Sequence, residues 1–527
     1  MYGIIFPIIF YFLSAILVAI LPRYIKRPAS VWFIGATGAI VSWLITLGLG
    51  IHQSANWIIS FGNVSQFLGK EFAFIFLVDN ISWGYLVSIT TLILAVLLTE
   101  SSYHGTIVSN GWAYTLGLGG VGVFAVTSGN LLTFSYTWTL LSVIILVILI
   151  TTAGSQRIRK TAIINFVIQM LGISLLILGM MSLGDRVSLD AFMEVPQNIA
   201  ILFILAAGAL LGVILPDDQL FIERNMKRGF GTVLRLIPVT SSLVFISRLQ
   251  FSPSNDMKVM LLILVIFIIA IYGSFHWILE RNLFDGRLAW IMVGASLTLI
   301  TKLFGLNNLT ILLGQAIIFS SALIFLTKIT SPLIYKITRM GLVVILGFPL
   351  VIGNGFVLTV LNQPEFPLFY KILLITLFNL LFSLQIFGYF MHSYHINKNY
   401  GEIKPYGNLL SVIGLILILL VQLLTIILGF VNGQFVFLRW WVGMVPLAIS
   451  IGFYYFYLHN VEKKPSGRYL GYVDKVFSLD WIYQIILRTY KFLGGIIHQA
   501  TMVIEGDAGF LWAVLIAALL IAIFSKG

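Results

Sequence analysis

Ionisable side chains inside apolar segments are the residues of this sequence that could carry chemistry. Arg235 and Lys302 each lie within a long apolar stretch. A charge near the centre of a bilayer costs about 2.5–3.5 kcal/mol on insertion scales. Arginine does not deprotonate in proteins, so Arg235 could hold an anion or a carbonyl group but could not relay a proton. Lys302 could titrate if it is desolvated, or its ammonium could extend to the membrane interface.

Two other motifs have the spacing of chemical sites. His392 and His395 could ligate a metal, but no third ligand clusters with them, which favours a surface pair and no metal site. The run from Gly117 to Gly122 has the glycine content of a phosphate loop. It lies inside an apolar span without a preceding strand, so close helix packing is its expected role. The sequence contains no nucleophile with a neighbouring base, Walker loop or zinc-protease motif, which predicts no catalytic site on this chain.

The composition places these residues in a membrane. The chain has 527 residues, of which 59% are hydrophobic and 9% charged, and its mean hydropathy is +1.03. Soluble domains carry about 25% charged residues. The apolar runs are long and continuous, which predicts a polytopic all-α membrane protein and not a β-barrel, whose strands alternate. The chain has no cysteine, so any iron–sulfur cluster must sit on another chain, and no cofactor is expected here.

Apolar runs of about 20 residues predict about sixteen transmembrane helices. Basic residues follow the first span and do not precede it, so this span is expected to be retained and not cleaved as a signal peptide. The predicted spans cover residues 3–21, 31–51, 79–98, 111–128, 130–152, 160–183, 197–215, 230–249, 258–277, 287–305, 307–327, 340–361, 368–390, 408–430, 438–458 and 508–524.

Basic residues in alternate loops predict the orientation. The loops after odd-numbered spans carry most of the lysine and arginine outside the spans, including Arg157, Arg159 and Lys160. Basic loops stay in the cytoplasm, so the net charge of +12 reflects topology and not nucleic-acid binding. The N-terminus is then outside, in a bacterial inner membrane or an equivalent energy-coupling membrane. Residues 52–78 lie on the outer face, where partial alternation predicts a β-hairpin.

The pattern changes beyond the fifteenth span. Residues 474–505 combine apolar residues at helical spacing with charged side chains such as Asp474 and Arg488. A long amphipathic helix is expected to lie along a surface. It would either follow the edge of its own chain or brace neighbouring subunits. The last span, 508–524, would anchor it.

Three segments of the chain resemble a known family. They are LVDNISWGYLVSITTLILAV from residue 77, GNLLTFSYTWTLLSVIILVILI from residue 129 and GFPLVIGNGFVLTV from residue 347. In order and spacing they are similar to motifs of the antiporter-like subunits of respiratory complex I. That family includes Mrp cation/proton antiporters and membrane-bound hydrogenases. The matching residues are Asp79, Ser82, Asn130, Trp138, Pro349, Gly355 and Phe356.

The resemblance implies two inverted five-helix repeats with interrupted helices near the midplane. The candidate interruptions are Pro216, Pro238 and Pro349, because a proline inside a helix removes one backbone hydrogen bond. The alternative is that each proline only kinks its helix for packing. Expected partners are the lipid bilayer and other membrane subunits of a complex I-like, Mrp-like or hydrogenase-like assembly. The expected divisions are residues 1–110 with the hairpin, 111–250 and 251–392 for the repeats, 393–460 for two further spans, and 461–527 for the lateral helix and its anchor.

The chain departs from the family at its ion-carrying positions. The resemblance implies a Glu after the Trp of the fifth span, lysines in the seventh, eleventh and twelfth spans, and a His or Lys in the eighth. Leucine cannot exchange protons, and serine or threonine can relay them only through water. The departures therefore predict that the central charged axis is lost. The corresponding positions here are Thr139, Leu211, Leu234, Ser321 and Thr359.

Three functions are consistent with this pattern. The favoured one is a subunit of a complex I-like or Mrp-like ion-translocating assembly that acts as a scaffold or coupling element. The second is a subunit that moves protons or sodium by an altered route through Thr139, Ser321, Lys302 and water. The third is a stand-alone secondary transporter of a small solute, with Arg235 as the substrate clamp. Any redox chemistry would belong to the whole assembly.

Overall fold

Fourteen α-helices and one β-hairpin make up the described part of the chain in the computed structural model. Contacts between Cα atoms divide the chain into two units, Met1–Asn460 and Val461–Gly527, and every element named below belongs to the first. The structure describes residues 3, 5–24, 27–51, 57–63, 73–100, 109–152, 156–183, 196–212, 228–250, 257–279, 286–327, 337, 341, 355–358, 360–362, 367–395, 405–431, 440–460 and 488.

The elements follow one another along the chain with few interruptions. The β-hairpin separates the second helix from the third. In order they are α1 (Ile5–Ile20), α2 (Pro28–Ile51), β1 (Trp57–Asn63), β2 (Ala73–Val78), α3 (Asn80–Glu100), α4 (Ser109–Val126), α5 (Leu131–Thr152), α6 (Gln156–Leu183), α7 (Gln197–Leu210), α8 (Arg228–Arg248), α9 (Met257–Leu279), α10 (Arg287–Leu303), α11 (Asn307–Leu326), α12 (Leu368–His395), α13 (Pro405–Val431) and α14 (Met444–Asn460).

The helices confirm the predicted class of polytopic α-helical membrane protein. Within the described residues, ten helices are long and apolar enough to cross a membrane. Helices α1 to α11 coincide with the first eleven predicted spans, and α12 to α14 coincide with spans thirteen to fifteen, to within about six residues at each end. Most of the twelfth span and all of the sixteenth lie outside the described residues, as does nearly all of the amphipathic segment. The count of sixteen therefore stays a prediction.

Four helices form the centre of the bundle. Nearly every residue of α3, α8, α10 and α11 is buried, and α8 contacts α3, α4, α5, α7, α10 and α11. Helices α1, α6 and α13 instead expose most of their length, with large apolar side chains such as Leu171 and Leu420 on the surface. An apolar surface of this kind is stable in lipid. The central helices are therefore the ones that can hold buried polar groups.

The predicted hairpin is confirmed. Strands β1 and β2 pair antiparallel, with Trp57 opposite Val78. Strand β2 also bonds to the turn between α4 and α5: the Leu77 N–H donates to the Thr127 carbonyl at 2.7 Å, and the Gly129 N–H donates to the Ile75 carbonyl at 2.7 Å. A Cβ atom on Gly129 would lie 2.7 Å from the Ile75 side chain, so the approach requires glycine. We call this part of the molecule, with the start of α3 and the end of α8, the hairpin end.

The glycine run in α4 serves close packing, as predicted. A Cβ atom on Gly119 would lie 2.3 Å from Ile93 in α3, and one on Gly122 would lie 2.7 Å from Ile237 in α8. Small residues let transmembrane helices approach each other closely. Helix α4 therefore packs tightly on the two central helices.

Of the three prolines proposed as interruptions, Pro238 lies inside α8. It has no N–H to donate to the carbonyl of Leu234, four residues earlier in the helix. Pro216 and Pro349 lie outside the described residues.

Candidate functional site

Helix α7 ends inside the bundle. Its 14 residues span about 21 Å, less than the roughly 30 Å of a bilayer core. The Leu211 N–H donates to Ala207 at 2.8 Å and the Gly212 N–H donates to Ala209 at 3.1 Å, while Gly212 has a φ of 70°. A glycine in this left-handed conformation is the usual end of an α-helix. The resemblance implied an interruption near this point, at Pro216, which lies outside the described residues, so the interruption stays a prediction.

A partly open cavity adjoins this helix end, between α5, α6, α7 and α8. Leu211 and Leu234, two of the positions predicted to replace titratable residues, both line it and are buried. Its volume is about 20 Å³, which is room for about one water molecule. The lining residues are Ile145, Leu149, Asn165, Gln169, Leu210, Leu211, Gly212, Leu234, Arg235, Pro238 and Val239.

Arg235 supplies the charge in this cavity. A Cβ atom on Gly212 would lie only 3.2 Å from its Nη2 atom, so the guanidinium lies against the C-terminal end of α7. The carbonyl groups at a helix C-terminus carry partial negative charge and stabilise a cation there. The described residues that line the cavity therefore provide one fixed positive charge, two amide side chains and apolar groups, but no side chain that exchanges protons at neutral pH.

Lys302 is buried at the end of α10. Its side chain is 1% exposed, and its Nζ atom donates to the Ser247 carbonyl at 3.1 Å and to Asn307 Oδ1 at 2.6 Å. Helix α10 ends there at Gly305, which has a φ of 71°. The side-chain amine of Lys302 therefore binds protein oxygen atoms at the helix end. It does not extend to the membrane interface, which was one of the two alternatives that the sequence left open.

Ser247 joins Lys302 to a buried tyrosine. The Ser247 Oγ atom lies 2.9 Å from Tyr85 Oη, and both side chains are buried. Lys302, Asn307, Ser247 and Tyr85 thus form a polar cluster that connects α3, α8, α10 and α11. A satisfied polar network of this kind fixes the relative positions of the helices that contribute to it.

Arg248 and Asp79 form an ion pair at the hairpin end, with 3.3 Å between Nη2 and Oδ1. Nη2 also lies 3.3 Å from the Leu77 carbonyl, and Nη1 donates to the Ser128 carbonyl. Burial raises the pKa of the Asp79 carboxyl, but Arg248 and the hydrogen bonds from Ser82 outweigh it and bring the pKa below its usual value. Asp79 is therefore ionised at neutral pH. Sequence analysis did not single out Arg248, although a basic residue that ends a span is a signal for such a contact.

Comparisons with known proteins agree with this arrangement. No family model and no curated protein match the chain. A chain of the membrane-bound sulfane sulfur reductase (MBS), an archaeal respiratory membrane complex, has a TM-score of 0.58 at 13% identity, over 79% of this chain and 74% of that one. A chain of the Mrp complex from Dietzia sp. DQ12-45-1b has a TM-score of 0.71 at 14% identity, over 99% and 63%. A chain of respiratory complex I from Thermus thermophilus with bound NADH has a TM-score of 0.61 at 14% identity, over 85% and 99%.

The chain has the fold of an antiporter-like membrane subunit. The predicted resemblance is thus confirmed at the level of the fold. This chain spans 63% of the length of the Mrp chain that it matches.

Within the antiporter-like fold, the four described axis positions do not meet at one place. Leu211 and Leu234 share the cavity. Thr139 is half-buried on α5, where its hydroxyl donates to the Ser135 carbonyl at 2.7 Å, and it does not line the cavity. Ser321 is fully buried in α11, and its hydroxyl makes no hydrogen bond within the described part of the chain. Thr359 lies outside the described residues.

The other residues that match the antiporter-like motifs hold the helices in place. Asn130 caps α5, since its Oδ1 atom accepts a hydrogen bond from the Thr133 N–H at 2.8 Å. Trp138 is fully buried beside Phe134, with 5.7 Å between the ring centroids. These contacts position the fifth helix and contribute no reactive group.

The later motif of the antiporter-like fold has the same structural role. A Cβ atom on Gly355 would lie 2.5 Å from the Leu309 side chain, so the two segments are in close contact. Phe356 stacks on Phe378, with ring centroids 4.0 Å apart. Aromatic pairs of this kind add about 0.5–1.5 kcal/mol to the burial of their area.

Two further side chains are buried: Glu100, which sequence analysis did not mention, and His392, which it placed on the surface. Glu100 is buried at the end of α3 farthest from the hairpin end, and its Oε1 atom accepts a hydrogen bond from the Phe230 N–H at 2.9 Å, so it caps the start of α8. His392 was predicted to be on the surface, but it is buried against Trp277, whose carbonyl accepts a hydrogen bond from its Nε2 atom at 2.7 Å. The described residues contain no group of three or more metal-ligating side chains.

Proposed function

We propose that this chain is a membrane subunit of a multisubunit ion-translocating assembly of the complex I-like or Mrp-like kind, and that it acts there as a scaffold or coupling element. The similarity in fold to chains of three membrane complexes supports the first part. The cavity beside α7 supports the second part, because it combines Leu211 and Leu234 with the fixed charge of Arg235.

The chemistry of this cavity opposes ion transfer. A proton relay needs groups that gain and lose protons; leucine has none, and arginine stays protonated. A proton path through the described side chains that line this cavity is therefore unfavourable.

The proposal includes the finer architecture predicted from the sequence. The chain would have sixteen spans, two inverted repeats over residues 111–250 and 251–392, and the remaining divisions 1–110, 393–460 and 461–527. Its N-terminus would face the outside of a bacterial inner membrane or an equivalent energy-coupling membrane. Its partners would be other membrane subunits of the assembly, together with lipid, and the exposed apolar faces of α1 and α6 are compatible with both.

Ion uptake by the intact assembly tests this proposal. The assembly is purified in mild detergent, its chains are identified, and proton and sodium uptake are measured after reconstitution into vesicles. We expect Lys302→Met to leave uptake within about twofold of wild type once the amount of assembled complex is matched, since the ions would move through other subunits. Lys371→Met removes a half-buried lysine that lies outside the four central helices and donates to the Leu361 carbonyl, and it is the matched control.

In the same experiment, Lys302→Arg distinguishes the effect of a fixed positive charge from the effect of a group that can lose its proton. It keeps a cation beside Ser247 and Asn307 but cannot lose a proton at physiological pH. If assembled complexes with Lys302→Met and Lys302→Arg both lost most of their uptake, the subunit would conduct ions itself.

A second candidate function is ion translocation by an altered route. The burial of Lys302 and its link through Ser247 to Tyr85 favour it, because these groups form a polar cluster inside the central four helices. The same uptake measurements decide between the two candidates. A chain that purified alone and monodisperse would contradict both and would favour the stand-alone transporter, with Arg235 as its substrate clamp.

A further inference from the structure

Three oxygen atoms from three different elements surround the guanidinium of Arg248 at the hairpin end. They are the carbonyl oxygen of Leu77 in β2, Oδ1 of Asp79 before α3, and the carbonyl oxygen of Ser128 in the turn after α4. Arg248 is the last residue of α8, and its side chain is 2% exposed. A cation therefore occupies a buried oxygen cage, which consists of Leu77, Asp79 and Ser128.

The cage oxygens are held in place by bonds that do not involve Arg248. Asp79 and Ser82 form a reciprocal cap at the start of α3: the Asp79 N–H donates to Ser82 Oγ at 2.9 Å, and the Ser82 N–H donates to Asp79 Oδ1 at 2.7 Å. Pairing of β2 with the turn after α4 fixes the backbone at Leu77 and Ser128, which lies opposite Phe76. The cage is thus a property of the surrounding backbone.

The charge of the cage calls for a monovalent cation. Among the described residues it holds one carboxylate and two neutral carbonyl groups, which together carry a charge of −1, and the C-terminal end of α8 adds further partial negative charge. Carboxylate and carbonyl oxygens are the ligands that hard cations prefer. Backbone carbonyls and helix C-terminal ends bind sodium in transporters with interrupted helices. Asp79 is 22% exposed, which gives an aqueous ion access to the cage.

We propose that the oxygen cage at the hairpin end is a monovalent-cation site that Arg248 fills as a tethered cation, and that Na⁺ binds there when the arginine side chain is removed. In the native chain the site is closed to free ions. This inference concerns a different part of the molecule from the cavity beside α7, and it holds whether or not the subunit conducts ions.

Removal of the side chain distinguishes a cation site from a simple structural tie. In Arg248→Ala the buried oxygens lose their positive partner, which destabilises the folded chain in any salt. An ion that binds only the folded state restores stability in proportion to its occupancy of the site. If Arg248 only holds these segments together by hydrogen bonds, no ion would replace it, and sodium would not restore the stability of the variant.

The test compares thermal unfolding of the full-length chain in detergent, in sodium chloride and in choline chloride of equal ionic strength. We expect the unfolding midpoint of Arg248→Ala to be at least about 3 °C higher in sodium, and to rise similarly on addition of low-millimolar guanidinium. Wild type should show no difference between the two salts. Arg248→Ala combined with Asp79→Asn should lose the sodium effect, because the cage then carries no net charge.

Lys302→Ala is the matched control, since it removes another buried basic side chain, which donates to one carbonyl and one amide oxygen. It should be destabilised equally in both salts. If Arg248→Ala is too unstable to melt reversibly, recovery of a monodisperse peak after solubilisation in sodium, guanidinium or choline gives the same comparison. Equal midpoints, or equal recovery, of Arg248→Ala in all three would overturn the proposal.

Discussion

At the scale of single residues, the charges of this chain are distinguished by what surrounds them. Arg235 lies against a helix C-terminus, Lys302 binds two neutral oxygens, and Arg248 pairs with Asp79. The last arrangement joins two opposite charges of the described part of the chain. Loss of one partner from a buried pair leaves the other charge uncompensated, which costs more than the pair contributes when it is intact.

Asp79→Asn tests the ion pair. Asparagine can still cap α3, so the substitution mainly removes the charge opposite Arg248, and we expect the free energy of unfolding to fall by about 3 kcal/mol at neutral pH. The pKa of Asp79 is lowered in the folded state, so its carboxylate stabilises the fold above the unfolded pKa of about 3.9. That contribution disappears as the pH falls through the folded pKa.

The difference in unfolding midpoint between wild type and Asp79→Asn should therefore be constant near pH 7 and shrink below about pH 4. Ser82→Ala is the control. It removes one side of the reciprocal cap but keeps the charge, so it should cost only about 1 kcal/mol and retain the loss of stability in acid. A difference between wild type and Asp79→Asn that did not depend on pH would contradict this account.

At the scale of elements, glycines set the places where two helices stop. Gly212 follows the end of α7 beside the cavity, and Gly305 follows the end of α10, three residues after Lys302. At Gly305 the Leu306 N–H donates to Thr301 at 3.0 Å and the Gly305 N–H donates to Lys302 at 2.8 Å, which is the paired pattern of a Schellman motif. The turn therefore holds the backbone on both sides of the buried lysine.

Gly305→Ala should destabilise the chain by about 1 kcal/mol, because alanine is strained at a φ of 71°. Gly117→Ala in α4 is the control: a Cβ atom there meets nothing within 4 Å, and alanine favours the helix by up to about 1 kcal/mol. Unfolding midpoints of the two variants in the same detergent should shift in opposite directions. Equal shifts would show that the turn is not constrained in this way.

At the scale of the whole molecule, the bundle places two segments at opposite ends. Helix α5 starts next to β2 and runs for 22 residues, about 33 Å, so the start of α6 lies far from the hairpin end. In a bilayer these two regions must face different compartments. The loop charges predict which compartment each one faces.

Single cysteines test that orientation without background, because the chain has none of its own. Arg157→Cys should react with a membrane-impermeant thiol reagent only from the cytoplasmic side. Ile58→Cys, at a half-exposed position of the hairpin, should react only from the outside. The reverse pattern would invert the orientation, and labelling of both from one side would contradict the spanning arrangement of α5.

The sequence by itself determined the class of the protein, the helices of the described residues and the hairpin. These features depend on local information: hydropathy over about 20 residues, alternation in the strands, and capping residues such as Asn130. The family resemblance, which was confirmed at the level of the fold, identified Leu211 and Leu234 as axis positions without charge, and that assignment stays a prediction.

Only the tertiary structure decided which polar groups are buried together. In a membrane helix nearly every face is apolar, so hydropathy does not indicate which face points inward. Arg248 and Asp79 are 169 positions apart, and Phe230 and Glu100 are 130 apart. Their contacts exist because α3 and α8 pack side by side at the centre of the bundle, and side-by-side packing depends on the shapes of whole helices. For that reason the burial of Lys302 and the meeting of Arg235 with Leu211 could be read only from the folded chain.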